Sequence, residues 1–212
     1  MVDCQVRTED VTDHELLTAL LQVPRESFVP EQLREFAYVD QELSLASIGG
    51  DGRALMPPAN FAKLAQLAEV NENDFILVLG SGCGYSSAVF SLLGSSVIAL
   101  EQSPSLVKTS SEVLMETGYE NVVVVEGELS QGYEKEAPFD LIFCEGSVSS
   151  VPDSLFDQLS DNGGRLVSVI GDGNSAIATV FKKSEGLIAQ VNVMNCSVAP
   201  IPGFEKQADF VF

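Results

Sequence analysis

The stretch Phe75-Ile76-Leu77-Val78-Leu79-Gly80-Ser81-Gly82-Cys83-Gly84-Tyr85 constrains this chain more than any other. An unbroken apolar run that meets glycines at alternate positions reads as a buried strand turning sharply into a helix. Each glycine permits a backbone angle or a close approach that a side chain would block. The free N–H groups at the start of the next helix then face a ligand.

The same alternation of apolar runs and helical patterns continues downstream. Val97–Glu101, Val122–Val125, Phe139–Cys144, Arg165–Ile170, Ala176–Lys182 and roughly Gln190–Ala199 read as further strands. Ser103-Pro104 is an N-cap with proline at the first helical position, and Gly118 is the stop of that helix. Fully apolar strands separated by helices predict a parallel sheet covered on both faces. The last connections, Gly171–Asn174 and Lys183–Gly186, are too short for a helical crossover, so one strand there runs antiparallel. The expected fold is therefore α/β, with a mostly parallel seven-stranded sheet.

Upstream of the first strand, residues 1–70 are helical and loop-rich. Thr12-Asp13-His14-Glu15 fits a capping box with Thr12 as N-cap, ahead of the stripe Leu16, Leu17, Leu20, Leu21. A second short helix is expected over Pro30–Ala37, with Leu33, Phe36 and Ala37 inward, and a third carries Phe61, Leu64, Ala65, Leu67 and Ala68. Tyr38–Pro58 reads as loop, and Glu145 as lying beyond the fourth strand. The apolar stripes need a partner surface, so 1–70 is expected to cap the core of residues 71–212 within one domain.

Charge and composition narrow the partners. There are 31 acidic and 11 basic residues, a formal net charge of −20, which repels phosphate backbones and disfavours nucleic acid. The four cysteines form no CxxC pair and there is a single histidine, His14, so no metal site is expected. No apolar run approaches the ~20 residues of a membrane helix, and Met1–Arg7 is no apolar leader, so a cytoplasmic protein without a membrane partner is expected.

Two ligand classes use a glycine loop after the first strand of such a sheet. The dinucleotide fingerprint G-x-G-x-x-G/A would place its third glycine on Tyr85, whose bulk opposes the close helix–strand packing required there. G-x-G-x-G instead resembles the loop of S-adenosylmethionine-dependent methyltransferases, a Rossmann-like fold. Gly80, Ser81, Gly82 and Gly84 are the candidate cradle. Glu101, about 20 positions on, has the place of a carboxylate that accepts hydrogen bonds from ribose hydroxyls. Glu128, after the third strand, is a candidate for the adenine amino group, and Glu145 for the cofactor ammonium or the substrate.

The resemblance then extends along the chain. Met1–Arg7, Val23-Pro24-Arg25-Glu26-Ser27-Phe28-Val29-Pro30, Ala37-Tyr38-Val39-Asp40, Gly80–Tyr85, Ala137-Pro138-Phe139-Asp140, Val151-Pro152 and Gly163-Gly164-Arg165-Leu166-Val167 resemble, in order, the protein-L-isoaspartate O-methyltransferase family. The resemblance implies transfer of a methyl group from S-adenosylmethionine to the carboxylate of isoaspartyl residues in damaged proteins. It also implies a hydroxyl side chain that helps orient the substrate carboxylate, in an S-x-S-Q-P type stretch; its position here falls on Met56, or on Leu55 with a shift of one. No Ser or Thr occurs from Ile48 to Gly80. The family's Glu within the first strand is Val78 here, and its Asp-Gly after the third strand is Glu128-Leu129. Of the arginines in the substrate region, Arg53 lies in the altered stretch and is the candidate to anchor a carboxylate through a bidentate contact. Two readings stay open: an isoaspartyl methyltransferase, or a divergent member that keeps the fold or cofactor site and has lost that activity or changed substrate.

Overall fold

The computed structural model describes residues 1–205. Its centre is a seven-stranded sheet of order β5-β4-β3-β6-β7-β8-β9. The strands are β3 (Phe75–Leu79), β4 (Ser96–Glu101), β5 (Val122–Glu126), β6 (Leu141–Val148), β7 (Asn162–Ile170), β8 (Ile177–Ser184) and β9 (Leu187–Asn195). Pairing is parallel from β5 through β7, and β8 pairs antiparallel with both β7 and β9. The short turns foreseen at Gly171–Asn174 and Lys183–Gly186 therefore reverse one strand, as expected. The helices are α1 (His14–Gln22), α2 (Pro58–Leu67), α3 (Tyr85–Ser91), α4 (Pro104–Thr117) and α5 (Asp153–Asp157). A small antiparallel pair, β1 (Leu43–Ser44) and β2 (Ala54–Leu55), lies inside the stretch read as loop.

Strand alternation divides the core in two. Ile76 and Val78 of β3 point into one cluster, with Phe61, Phe90 and Phe143, while Leu77 and Leu79 point into the other, with Phe139, Ile142 and Leu155. Both faces are thus apolar, which is why β3 reads as a continuous hydrophobic run. Leu16, Leu17, Leu20 and Phe28 from the N-terminal segment are buried in the same cluster as Ile76 and Val78. A buried ion pair ties the turn before β3 to β7. Arg165 donates to the Asp74 carboxylate and to the carbonyls of Glu69 and Asp140, and Asp74 in turn accepts from Asn71 N.

Local differences from the sequence reading have simple causes. The N-cap of α1 is Asp13, not Thr12: its carboxylate accepts from Glu15 N and Leu16 N at 3.0 Å each. Leu21 turns outward at 66% exposure, so the stripe is Leu16, Leu17 and Leu20. Glu31–Phe36 is a 3-10 helix; its three-residue repeat leaves Phe36 half exposed and buries Ala37. The fourth strand starts at Leu141 and runs to Val148, so Glu145 lies inside it. The register between β6 and β7 shifts between Phe143 and Ser147, and this irregularity carries the strand past Glu145. The last strand ends at Asn195, short of the expected Ala199. Ser103 and Gly118 cap α4 as expected, Gly118 in the left-handed conformation.

Candidate cofactor site

Topology alone selects the site. The chain passes from β3 outward to β4 on one side and later to β6 on the other, so the order reverses at the carboxyl end of β3. In open α/β sheets ligands sit in that crevice. The turn there is Gly80–Gly84, and its three glycines have φ of 72°, 55° and 90°. This is the left-handed region that side chains resist, so the G-x-G-x-G spacing is a backbone requirement. Gly84 is the N-cap residue of α3.

Glu101 closes β4 directly beside the loop and is completely buried. Its carboxylate accepts from Gly82 N (2.9 Å), Gln102 N (2.9 Å) and Ser103 N (3.1 Å). It also accepts from Arg53 Nη1, at 3.1 Å to Oε1 and 2.9 Å to Oε2. Arg53 Nη2 continues to the Gly80 carbonyl at 2.7 Å. The guanidinium that sequence assigned to a substrate carboxylate is therefore spent on the chain's own Glu101.

Glu128 is exposed just beyond β5 and lines an open cleft of about 590 Å³ with Gln102, Glu126, Ser130 and Gly203. Glu145 is far from open. It is buried in β6, and the Ser86 hydroxyl of α3 donates to it. Burial pushes its carboxyl up to about 8; the Ser86 hydrogen bond and the charges of Arg53 and Arg25 oppose this, and Glu101 adds to it. Burial likewise raises the Cys83 thiol in the loop to about 12, with the Glu145 charge adding to it. Cys83 is thus an inert buried thiol.

Sequence gave no sign of the role of Arg25. It is fully buried, with Nε donating to Ala37 O at 2.7 Å and Nη2 to Met56 O at 2.6 Å. Its guanidinium carbon lies 4.6 Å from the centroid of the Tyr85 ring. Tyr85 also meets Phe28 and Phe61 edge-on, so the residue that argued against a dinucleotide clamps the N-terminal segment onto α3. Leu55 and Met56, the positions of the missing hydroxyl, are 1% and 2% exposed. Met56 packs in the main core cluster. Met56→Ser is therefore expected to cost about 2–4 kcal/mol of stability in denaturant melts, as a large-to-small core substitution does. It is not expected to raise methyl transfer to an isoaspartyl peptide, because the hydroxyl would point into the core. A tenfold gain in rate would show the opposite.

A protein-family model for protein-L-isoaspartate(D-aspartate) O-methyltransferase matches residues 1–206. The chain belongs to the protein-L-isoaspartate O-methyltransferase family. It is 34% identical over 202 residues to protein-L-isoaspartate O-methyltransferase 2 of Archaeoglobus fulgidus, covering 94% of this chain and 90% of that one. It is 33% identical over 207 residues to the protein-L-isoaspartate O-methyltransferase of Protochlamydia amoebophila, covering 97% and 96%. A solved protein-L-isoaspartate O-methyltransferase superimposes with a TM-score of 0.81 at 25% identity, covering 93% of this chain and 63% of that longer chain. The fold is thus the Rossmann-like S-adenosylmethionine-dependent methyltransferase fold, and S-adenosylmethionine is the cofactor of this isoaspartyl methyltransferase family member. The donor set fits that group: a glycine cradle, a buried carboxylate beside it, and an open cleft at the carboxyl ends of β4 and β5. The space over Gly80, however, is taken by Arg53.

Proposed function

We propose that this isoaspartyl methyltransferase family member methylates the side-chain carboxylate of isoaspartyl residues in damaged proteins. The observation that supports this most is the Glu101 carboxylate, fixed by backbone N–H groups beside the glycine loop, in a chain that the family model spans almost end to end. In this reading Gly80, Ser81, Gly82 and Gly84 hold the methionine end of the cofactor by backbone approach. Glu101 takes the ribose hydroxyls, and Glu128 flanks the adenine. When bound, S-adenosylmethionine supplies an electrophilic methyl on a sulfonium leaving group.

The chain's own contribution is orientation. A substrate carboxylate is already ionised at neutral pH, so no general base is needed. What remains is to hold the nucleophile in line and keep water out. The N-terminal segment suits the second task, since Arg25 fastens the Met56 carbonyl and Tyr85 in one buried cluster over α3. The apolar Leu55-Met56 pair favours a second reading, a family member that binds cofactor and methylates a different carboxylate or none. Calorimetry with S-adenosylhomocysteine and methyl transfer to an isoaspartyl peptide separate the two. Micromolar binding with transfer is the expected result; binding without transfer leaves only the second reading.

A further inference from the structure

The hairpin formed by β1 and β2 reaches across the carboxyl end of the sheet. Arg53 N donates to Gly50 O, and Leu45 N donates to Arg53 O, both at 2.9 Å. The tip is pinned to the start of α4, where the Ser103 hydroxyl donates to Gly49 O at 2.9 Å. From this hairpin Arg53 extends inward and is only 6% exposed. A Cβ placed on Gly80 would lie 2.9 Å from Arg53 Nη2 and 3.0 Å from Ile201 Cγ2, and one on Gly82 would lie 3.1 Å from Leu45 Cδ1. The close approach that the glycines permit is thus used by the chain's own side chains. The cleft beside Gln102 and Glu128 stays open.

We propose that Arg53 is an internal occupant of the cofactor cleft that competes with S-adenosylmethionine for Glu101. This rests on the assignment of the cleft made under Proposed function. A carboxylate offers about four lone-pair sites. Glu101 already accepts three backbone N–H groups and both contacts of Arg53 Nη1. With the three backbone donors in place, a ribose hydroxyl finds a free site, on Oε2, only where the guanidinium has left. The same movement frees the Gly80 carbonyl and the space above it. Next to Arg53, a Cβ placed on Gly52 would meet nothing within 4 Å, so the tip of the hairpin borders open space. The apparent dissociation constant is the intrinsic one divided by the fraction of molecules with Arg53 withdrawn. A closed state held by Arg53 Nη1 on both Glu101 oxygens and Nη2 on the Gly80 carbonyl therefore weakens binding in proportion to its population.

The test is calorimetry and stopped-flow binding of S-adenosylhomocysteine to the full chain. Arg53→Gln is expected to bind at least tenfold more tightly than the parent. In the parent the observed rate should level off with ligand concentration at the rate of Arg53 withdrawal, and in Arg53→Gln it should rise linearly. Arg53→Lys keeps the charge beside Glu101 but does not bridge to the Gly80 carbonyl, so it gives a smaller gain of the same sign and serves if the Gln variant does not fold. Equal or weaker binding by the Arg53 variants overturns the proposal while leaving the cofactor assignment standing. Failure of every variant and the parent to bind overturns both.

Discussion

Glu101→Gln is expected to lower affinity for S-adenosylhomocysteine by about 10- to 100-fold and to cost about 3 kcal/mol of folding stability. The affinity term comes from one charge-assisted hydrogen bond to a ribose hydroxyl, worth about 1.5–3 kcal/mol, with about 1.4 kcal/mol per factor of ten. The stability term comes from the burial of the group and the crowd of donors around it. Glu101 is fully buried, and its two oxygens serve Gly82 N, Gln102 N, Ser103 N and Arg53. An amide keeps the shape, replaces one acceptor by a donor among donors, and leaves the 6%-exposed Arg53 without its counter-charge. Denaturant melts and calorimetry read the two terms separately. The two members of this ion pair thus carry opposite signs for the ligand, Glu101 losing affinity and Arg53 gaining it. A melt of Glu101→Gln within 0.5 kcal/mol of the parent, at about the accuracy of surface substitutions, would remove the ion pair from this account.

The parts of the site that were legible in the sequence are those where backbone geometry dictates residue type. Gly80, Gly82 and Gly84 each have positive φ, and the apolar run before them is buried on both faces, so pattern and structure coincide. Glu101 was legible because a strand length and a helix length fix its distance from the loop. Arg53 was visible as a cation but its partner was not, because the pair spans 48 positions and depends on a hairpin of two-residue strands. No periodicity survives in two residues. Arg25 was less legible still. Its bonds are to the carbonyls of Ala37 and Met56, which every residue type offers, and to the face of Tyr85. Thr12 and Asp13 are adjacent and both able to cap, and only the path of the chain assigns the cap to Asp13. Glu145 was placed past the strand because the apolar run ends at Cys144. β6 runs four residues further, to Val148, through a register shift between Phe143 and Ser147, and the carboxyl lies in the interior.

That buried carboxyl dictates the pH dependence of stability. Glu145 is raised from the usual carboxylate range to about 8, above all by burial. In the unfolded chain a glutamate loses its proton near pH 4.3. Between these values the folded state keeps a proton that the unfolded state has released, so the unfolded state binds fewer protons and stability falls as pH rises. The slope from this one group is about 1.4 kcal/mol per pH unit, which amounts to about 3 kcal/mol between pH 5 and pH 7.5. Below the unfolded value both states are protonated and the dependence vanishes; above about 8 both are ionised and the penalty is complete. Glu145→Gln supplies a neutral isostere that still accepts from the Ser86 hydroxyl. It is expected to flatten the stability curve between pH 5 and pH 8 and to be about 4 kcal/mol more stable than the parent at pH 7.5, in chemical melts across that range. Parent and variant curves that run parallel would mean that Glu145 stays ionised in the folded protein. The direction also bears on the cleft. A neutral Glu145 adds no second negative charge beside Glu101, so the Arg53 guanidinium is balanced by Glu101 alone. Ionising Glu145 above pH 8 gives Arg53 a further reason to stay in place, and Glu145→Gln removes that pull while leaving the Glu101 contact intact.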